Sequence, residues 1–147
     1  MDRNEVEDVK DLILRYADMI NLYDLEGFAD TFAEHGIWDV TGYFKAIGRQ
    51  EVRDAFSQQR NAFDWVLQVV HGTRVLALDN SVAKARSYIA EQGNRNGGGY
   101  YLLGVYHDEC VKDDKVWRFS SRTFHPLYLG PPDLSAPLKH YPAPRLF

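Results

Sequence analysis

The residue best suited to proton-transfer chemistry is His71, which lies in a segment, residues 66–78, with the period-two alternation of a β-strand. The odd-numbered positions of this strand share one face, which is apolar apart from His71 and Thr73. Histidine side chains titrate near neutral pH, so an imidazole pointing into a pocket could abstract a proton next to a carbonyl. A core histidine bonded to a backbone carbonyl is the structural alternative, and the residues alone leave both open.

Other polar residues could assist such a base. Tyr16 belongs to the apolar stripe of a predicted helix, either as a packed core tyrosine or as a hydrogen-bond donor to a substrate oxygen. Asp24 either caps a second helix or supplies a carboxylate near the base. Arg122 lies on the last predicted strand, where alternation puts it on the same face as Arg118. If buried it could hold an enolate or a leaving anion, and if exposed it is a solvated surface charge.

Aromatic residues are frequent enough to form the walls of a pocket. Aromatic walls favour a flat or polycyclic ligand, although core packing explains most of these residues equally well. The candidate wall residues are Trp38, Tyr43, Tyr88, Tyr101, Tyr106 and Phe124.

The first part of the chain is predicted to be helical. Apolar residues recur at spacings of three and four through residues 6–23, and after Asp24 a second, shorter stripe runs until Gly36. Residues 37–40 and 43–47 indicate two short strands, and Gly48 precedes a third amphipathic helix.

The second part of the chain is predicted to be a meander. Residues 66–78, 82–92, 100–112 and 116–124 are long strand candidates joined by short connections, so the sheet should be antiparallel. We therefore predict an α+β domain in which three helices cover one face of a curved sheet and enclose a small-molecule pocket.

All six prolines lie after residue 125. This divides the chain into a domain at residues 1–127 and a proline-rich tail at residues 128–147, which should not continue the sheet. We expect the apolar residues of the tail to pack on the domain or on a neighbouring subunit. Exposed sheet edges and aromatic faces also favour a homo-oligomer, a dimer or a trimer.

Composition excludes several classes of function. A formal charge of −4 argues against nucleic acid, and no window is apolar enough to span a membrane. The acidic N-terminus does not resemble a targeting peptide, and Cys110 has no cysteine partner, so we expect a cytoplasmic protein. No phosphate loop, zinc motif or nucleophile elbow is present, so we predict no cofactor and no metal.

Four short strings occur in an order and spacing that resemble the SnoaL-like branch of the nuclear-transport-factor-2-like (NTF2-like) superfamily. They are LRYAD at residues 14–18, FAEHGIW at 32–38, GRQEV at 48–52 and VWRFSSR at 116–122. The resemblance implies a cone-shaped fold and a lyase-type pocket, because members of this branch include dehydratases and dehydrochlorinases that act on cyclic substrates.

The resemblance also implies roles for particular residues. The family pairs a histidine with an aspartate, and His71 matches the histidine, whereas Asn21 stands where the aspartate is expected. Asn21 would then hold the imidazole or the substrate, and Tyr16 and Arg122 match positions that polarise a substrate. The implied function is a cofactor-independent dehydratase-like lyase or isomerase acting on a cyclic aromatic, polyketide or steroid-like compound. A non-catalytic binding or assembly domain, and a polyketide cyclase or epoxide hydrolase, are the alternatives.

Overall fold

The structure, a computed structural model, describes residues 1–147 and contains three helices and six strands. Two helices precede the first strands, a third follows them, and four long strands complete the domain. The helices are α1 (Arg3–Leu22), α2 (Leu25–Asp30) and α3 (Arg49–Asn61), and the strands are β1 (Phe32–Val40), β2 (Phe44–Ile47), β3 (Phe63–Asp79), β4 (Val82–Arg95), β5 (Gly98–Asp113) and β6 (Val116–Gly130).

Both N-terminal helices begin at side-chain caps. Asp2 accepts a hydrogen bond from the Asn4 amide at the start of α1, and Asp24 accepts one from the Gly27 amide at the start of α2. Tyr23 ends α1 in the left-handed conformation, with φ of 56°. The two predicted helices are confirmed, and α1 buries the predicted apolar stripe. The expectation that the second helix runs until Gly36 is wrong, because α2 ends at Asp30 and β1 already begins at Phe32. No helix of the chain is both long and apolar enough to cross a membrane.

The strands form one curved, open sheet in the order β2-β1-β6-β5-β4-β3. All neighbours are antiparallel except β1 and β6, which are parallel. The predicted α+β class is confirmed, whereas the prediction of a fully antiparallel sheet is wrong at that one pair. The parallel pair arises because α3 and the meander separate β1 from β6, which allows β6 to return beside β1.

The last strand is longer than its prolines suggest. β6 continues through Pro126 to Gly130, and Tyr128 pairs with Leu103 of β5. The sheet tolerates Pro126 because the register shifts next to it, leaving Leu127 as an extra residue. The expectation that residues from 128 onward leave the sheet is therefore wrong by three residues.

Aromatic side chains fill the core between the helices and the sheet. Phe28 of α2 stacks on Phe56 of α3 with ring centroids 4.0 Å apart, and Tyr16 of α1 contacts both Phe28 and Phe119. Such pairs contribute about 1 kcal/mol each beyond the area they bury. The packing holds all three helices on one face of the sheet.

The tail lies against the opposite face. The Lys139 amide donates a hydrogen bond to the Leu127 carbonyl, and the ring of Phe147 lies 5.1 Å from that of His107. His107 alternates with Tyr106, which contacts Tyr16 of α1, so His107 points away from the helices.

Candidate functional site

A cavity of about 510 Å³ lies between the helices and the concave face of the sheet. Its volume is within the range of about 300–1,000 Å³ that is usual for small-molecule sites. Most of its walls are apolar or aromatic, and the aromatic lining residues are Tyr16, Tyr23, Trp38, Tyr43, Phe44, Phe56, Phe63, Tyr106 and Phe124.

The structure places four of the six predicted wall residues along this cavity, namely Trp38, Tyr43, Tyr106 and Phe124. Tyr88 and Tyr101 do not line it. Tyr88 is 42% exposed on the outer face, because its neighbours Ser87 and Ile89 point inward. Tyr101 lies on the same outer face, since Leu102 is the residue of that pair that lines the cavity.

His71 does not point into the cavity. A β-bulge makes it the extra residue between Val70, which pairs with Ile89, and Gly72, which pairs with Tyr88. The side chain is exposed and absent from the cavity lining. Before the bulge the even-numbered residues face inward, so the predicted odd-numbered apolar face is the outer face there. The predicted position of the His71 imidazole inside a pocket is therefore wrong.

Asn21 bonds to backbone and not to an imidazole. Its side-chain nitrogen donates to the Gln68 carbonyl at 2.9 Å, and its side-chain oxygen accepts from the Gln68 amide at 2.7 Å. β3 is the last strand of the sheet, so these Gln68 groups have no neighbouring strand to pair with. Asn21 satisfies both of them and joins α1 to the sheet edge, which leaves its amide unable to orient a base.

Asp24 serves as the cap of α2 and does not line the cavity. Its carboxylate accepts the Gly27 amide hydrogen bond at 2.9 Å, and the residue is exposed. Of the two roles considered for Asp24 from the sequence, the structure shows the helix cap.

Arg122 is fully buried beneath the cavity wall. Its guanidinium carbon lies 3.8 Å from the ring centroid of Tyr106 and 4.1 Å from that of Tyr16. Its Nε is 3.6 Å from a carboxylate oxygen of Asp108, which is equally buried. Burial raises the pKa of the Asp108 carboxyl to about 7, and the Arg122 charge opposes this rise. Arg122 supports the two tyrosines from behind and does not itself line the cavity.

The face of β6 that carries Arg122 also differs from the prediction. The register shifts between Glu109 and Cys110 of β5, which leaves Ser120 as an extra residue in β6. Phe119 and Arg122 consequently both face the core, whereas Arg118 lies on the other side. A bulge again reverses the alternation that the sequence indicates.

Tyr16 and Tyr106 form a hydroxyl pair at the cavity wall. Their hydroxyl oxygens are 3.1 Å apart, so one donates to the other and one hydroxyl proton stays free. Both tyrosines are buried and both line the cavity. Burial raises the pKa of both phenols, so they remain neutral hydrogen-bond donors.

The sequence-based prediction missed Glu91, an inward-facing carboxyl in the cavity. Only 9% of the residue is exposed, and its two oxygens accept hydrogen bonds from Gln68 at 2.8 Å and Tyr100 at 2.7 Å. Burial raises the pKa of the Glu91 carboxyl, while the two hydrogen bonds act in the opposite direction.

A sequence signal for Glu91 exists. It is the only acidic residue of β4, and it shares an alternating face with small or apolar residues. An isolated acid at the end of such a face is the pattern of a buried carboxyl. Those residues are Ala83, Ala85, Ser87 and Ile89.

The charged residues of the cavity are mostly cationic. Lys45, Arg60 and Arg95 contribute to the lining, and Glu91 is the one carboxyl there. Across the chain, no group of three or more His, Cys, Asp or Glu side chains is arranged to hold a metal ion. The cavity therefore combines apolar walls, neutral phenols, one buried carboxyl and peripheral cations.

Helices over a curved sheet with an apolar cavity define the class of NTF2-like α+β domains. The sequence profile of the SnoaL-like domain matches residues 2–123, so the chain belongs to the SnoaL-like family. No curated protein matches the chain.

Solved structures with the same fold are numerous. A scytalone dehydratase-like protein from Novosphingobium aromaticivorans superposes with a TM-score of 0.81 at 18% identity, covering 94% of this chain and 94% of that one. A hexachlorocyclohexane dehydrochlorinase from Novosphingobium barchaimii superposes with a TM-score of 0.79 at 16% identity, covering 92% and 94%. These similarities show the fold that the sequence resemblance predicted.

Proposed function

We propose that the protein is a lyase or isomerase that acts on a cyclic carbonyl compound, with Glu91 as the group that accepts and returns a proton. The observation that carries the proposal is the position of this carboxyl, buried inside an apolar cavity large enough for an aromatic, polyketide or steroid-like ring system. No cofactor is needed for a proton transfer of this kind.

The environment of Glu91 suits it to this role. Desolvation raises its pKa, and a carboxylate with a raised pKa is a stronger base than one in water. Gln68 and Tyr100 fix the position of the carboxyl, which lowers the entropy cost of reaching a reactive geometry.

The proposed step begins when the Glu91 carboxylate takes a proton from the carbon next to the carbonyl. The electron pair of that C–H bond moves to the carbonyl oxygen and gives an enolate, which the free hydroxyl proton of the Tyr16–Tyr106 pair stabilises. Return of the proton at another carbon completes an isomerisation. Loss of a leaving group from the enolate, with the proton passed to that group, completes an elimination.

The names of the structural relatives agree with a lyase, since they include a dehydratase-like protein and a dehydrochlorinase. The base proposed here differs from the histidine implied by the sequence resemblance, because His71 lies outside the cavity. Glu91 on β4 would act as the base in place of His71 on β3.

Binding without turnover is a second candidate function. It is favoured by the hydrogen bonds of Glu91, because both carboxylate oxygens already have partners within the protein. It is also favoured by Asn21, because its side-chain amide bonds to the Gln68 backbone and therefore cannot orient a base.

Exchange of the protons next to the carbonyl of 1-tetralone, followed by NMR in deuterium oxide, separates the two candidates. The protein should accelerate the exchange, and Glu91→Gln should lower the rate by about 100-fold or more while leaving the structure intact. Arg74→Gln, on the outer face of β3, is the matched control and should exchange at the unmodified rate.

Two results would overturn the catalytic proposal. Exchange by Glu91→Gln at the unmodified rate would remove Glu91 as the base. Saturable quenching of the tryptophan fluorescence by 1-tetralone without faster exchange would support the binding function, because Trp38 lines the same cavity.

A further inference from the structure

The charges around the cavity have the opposite sign to the chain as a whole. The chain carries a formal charge of −4, yet Lys45, Arg60 and Arg95 contribute three cations to the cavity lining. Glu91, the one carboxyl there, is deeply buried, whereas the three cations are exposed. The cations therefore lie at the mouth, where a ligand enters.

The fold brings the two arginines to the same part of the mouth. Arg60 lies in the last turn of α3, and Arg95 pairs across the sheet with Phe63, at the start of the strand that follows that helix. The guanidinium carbon of Arg60 lies 4.8 Å from the ring centroid of Tyr23, and that of Arg95 lies 5.5 Å from that of Phe63. Aromatic rings thus position both guanidinium groups.

Neither guanidinium has an anionic partner in the protein. Arg60 and Arg95 take part in none of the ion pairs of the chain, in contrast to Arg53, which pairs with Glu26. A guanidinium against a ring face keeps its N–H edge free, and that edge fits a carboxylate with two parallel hydrogen bonds.

The mouth is also connected to the buried carboxyl. Tyr100, which donates its hydroxyl proton to Glu91, is close enough to Arg95 for the arginine charge to act on its phenol. A ligand anchored at Arg95 would therefore extend inward toward Glu91.

We propose that the natural ligand is a cyclic carboxylic acid, whose carboxylate is bound by Arg60 and Arg95 at the mouth while its rings occupy the aromatic interior. This inference rests on the proposed function of the cavity and adds the substrate class. The anchored carboxylate fixes which end of the ring system reaches Glu91, so the two arginines determine specificity and orientation.

A pair of probes that differ only in charge tests the inference. 2-Naphthoate and 2-naphthamide have the same ring system and nearly the same size, and their binding can be followed by isothermal titration calorimetry. At low ionic strength, naphthoate should bind about tenfold more tightly, since a charge-assisted hydrogen bond contributes about 1.5 kcal/mol. The preference should decrease as salt screens the exposed cations.

The double variant Arg60→Gln/Arg95→Gln should lose this preference and bind the two probes with equal affinity. It should still bind naphthamide, which separates loss of the anchor from loss of the fold. Arg74→Gln, which removes an exposed arginine remote from the cavity lining, should keep the full preference.

The outcomes distinguish the inference from the function on which it rests. Equal binding of both probes to the unmodified protein would overturn the carboxylate inference and leave the cavity as a ligand site. A preference that survives in the double variant would also overturn it. Binding of neither probe would overturn both the inference and the proposed function.

Discussion

At the residue scale, Asn21 shows how one amide can be committed to structure at a position where the family resemblance implies catalysis. Both ends of its side chain bond to the Gln68 backbone, one as donor and one as acceptor. A carboxylate has no N–H donor. It could accept the hydrogen bond from the Gln68 amide, but it could not donate one to the Gln68 carbonyl.

We therefore expect Asn21→Asp to lower the free energy of unfolding by about 1–3 kcal/mol and to bring no gain in turnover. The carboxylate would face the Gln68 carbonyl without a proton between them. Urea denaturation measures the change, and Asp18→Ala, an exposed position on the same helix, is the control. A rate gain in Asn21→Asp would contradict this account and restore a dyad at residue 21.

Asp108 provides a second prediction at this scale. Burial raises its pKa from 3.8 to about 7, so the folded protein holds this proton to higher pH than the unfolded chain does. The contribution of Asp108 to stability is then greatest below pH 4 and decreases as the pH rises toward 7. Asp108→Asn should remove this part of the pH dependence.

The measurement compares urea denaturation of Asp108→Asn and the unmodified protein at several pH values between 4 and 8. The difference between the two free energies should change across this interval in favour of the variant, because the variant has no carboxyl whose ionisation burial opposes. Parallel curves over the whole interval would show that Asp108 has an ordinary pKa.

At the scale of elements, the bulge in β3 decides what His71 can do. Val70 and Gly72 pair with consecutive residues of β4, which leaves His71 without a partner and exposed. Bulges often occur near functional sites, but this one turns the imidazole away from the cavity.

His71→Ala should accordingly leave both ligand binding and 1-tetralone exchange within about twofold of the unmodified protein, since the imidazole is exposed and lies outside the cavity lining. Glu91→Gln, on the neighbouring strand, is the contrasting variant. A loss of exchange in His71→Ala comparable to that in Glu91→Gln would indicate that the cavity closes around His71 in solution.

The elements could be predicted from the sequence because their periodicities are long and their ends carry clear signals, such as Asp24 at the start of α2. The inward faces of β3 and β6 could not, because one inserted residue in each strand, His71 or Ser120, reverses the alternation, and the alternating pattern does not show which residue that is. Glu91 could have been found, since β4 has no register shift against β5 and its alternating face is regular. Its predicted burial alone would not have identified Glu91 as a functional residue.

At the scale of the whole molecule, the homo-oligomer expected from the sequence remains a prediction. The outer face of β3 and β4 leaves four large apolar side chains between 42% and 50% exposed, in one part of the sheet. Their number and proximity are unusual for a surface that stays in water. They are Trp65, Leu67, Val69 and Tyr88.

We expect Leu67→Glu/Val69→Glu to reduce the molar mass in light scattering from that of a dimer or trimer to that of one chain, because a carboxylate in an apolar interface loses its hydration. Val82→Glu, at an apolar position that is 48% exposed at the opposite end of the β3–β4 hairpin, is the matched control and should leave the mass unchanged. A single-chain mass for the unmodified protein would contradict the prediction.

The tail also acts on the molecule as a whole, since Phe147 covers the part of the outer face that carries His107. Burial, followed by the nearby His125 and Arg86, lowers the pKa of His107 to about 4, and Phe147 is one of the tail residues that produce this burial. Removal of residues 141–147 should therefore move the pKa of His107 from about 4 toward 6.5. It should stop short of that value because His125 and Arg86 remain and because the hydrogen bond to the Pro144 backbone, which raises the pKa, is lost. The chemical shifts of the imidazole ring protons, followed from pH 3 to 8, measure this change. Leu138→Ala, an exposed position that leaves Phe147 in place, should keep the lower pKa.

A base whose pKa is lowered by folding costs stability as the pH falls from 6.5 to 4, so the shortened chain should also lose less stability on acidification than the full chain. An unchanged titration of His107 in the shortened chain would show that the tail does not cover the sheet in solution.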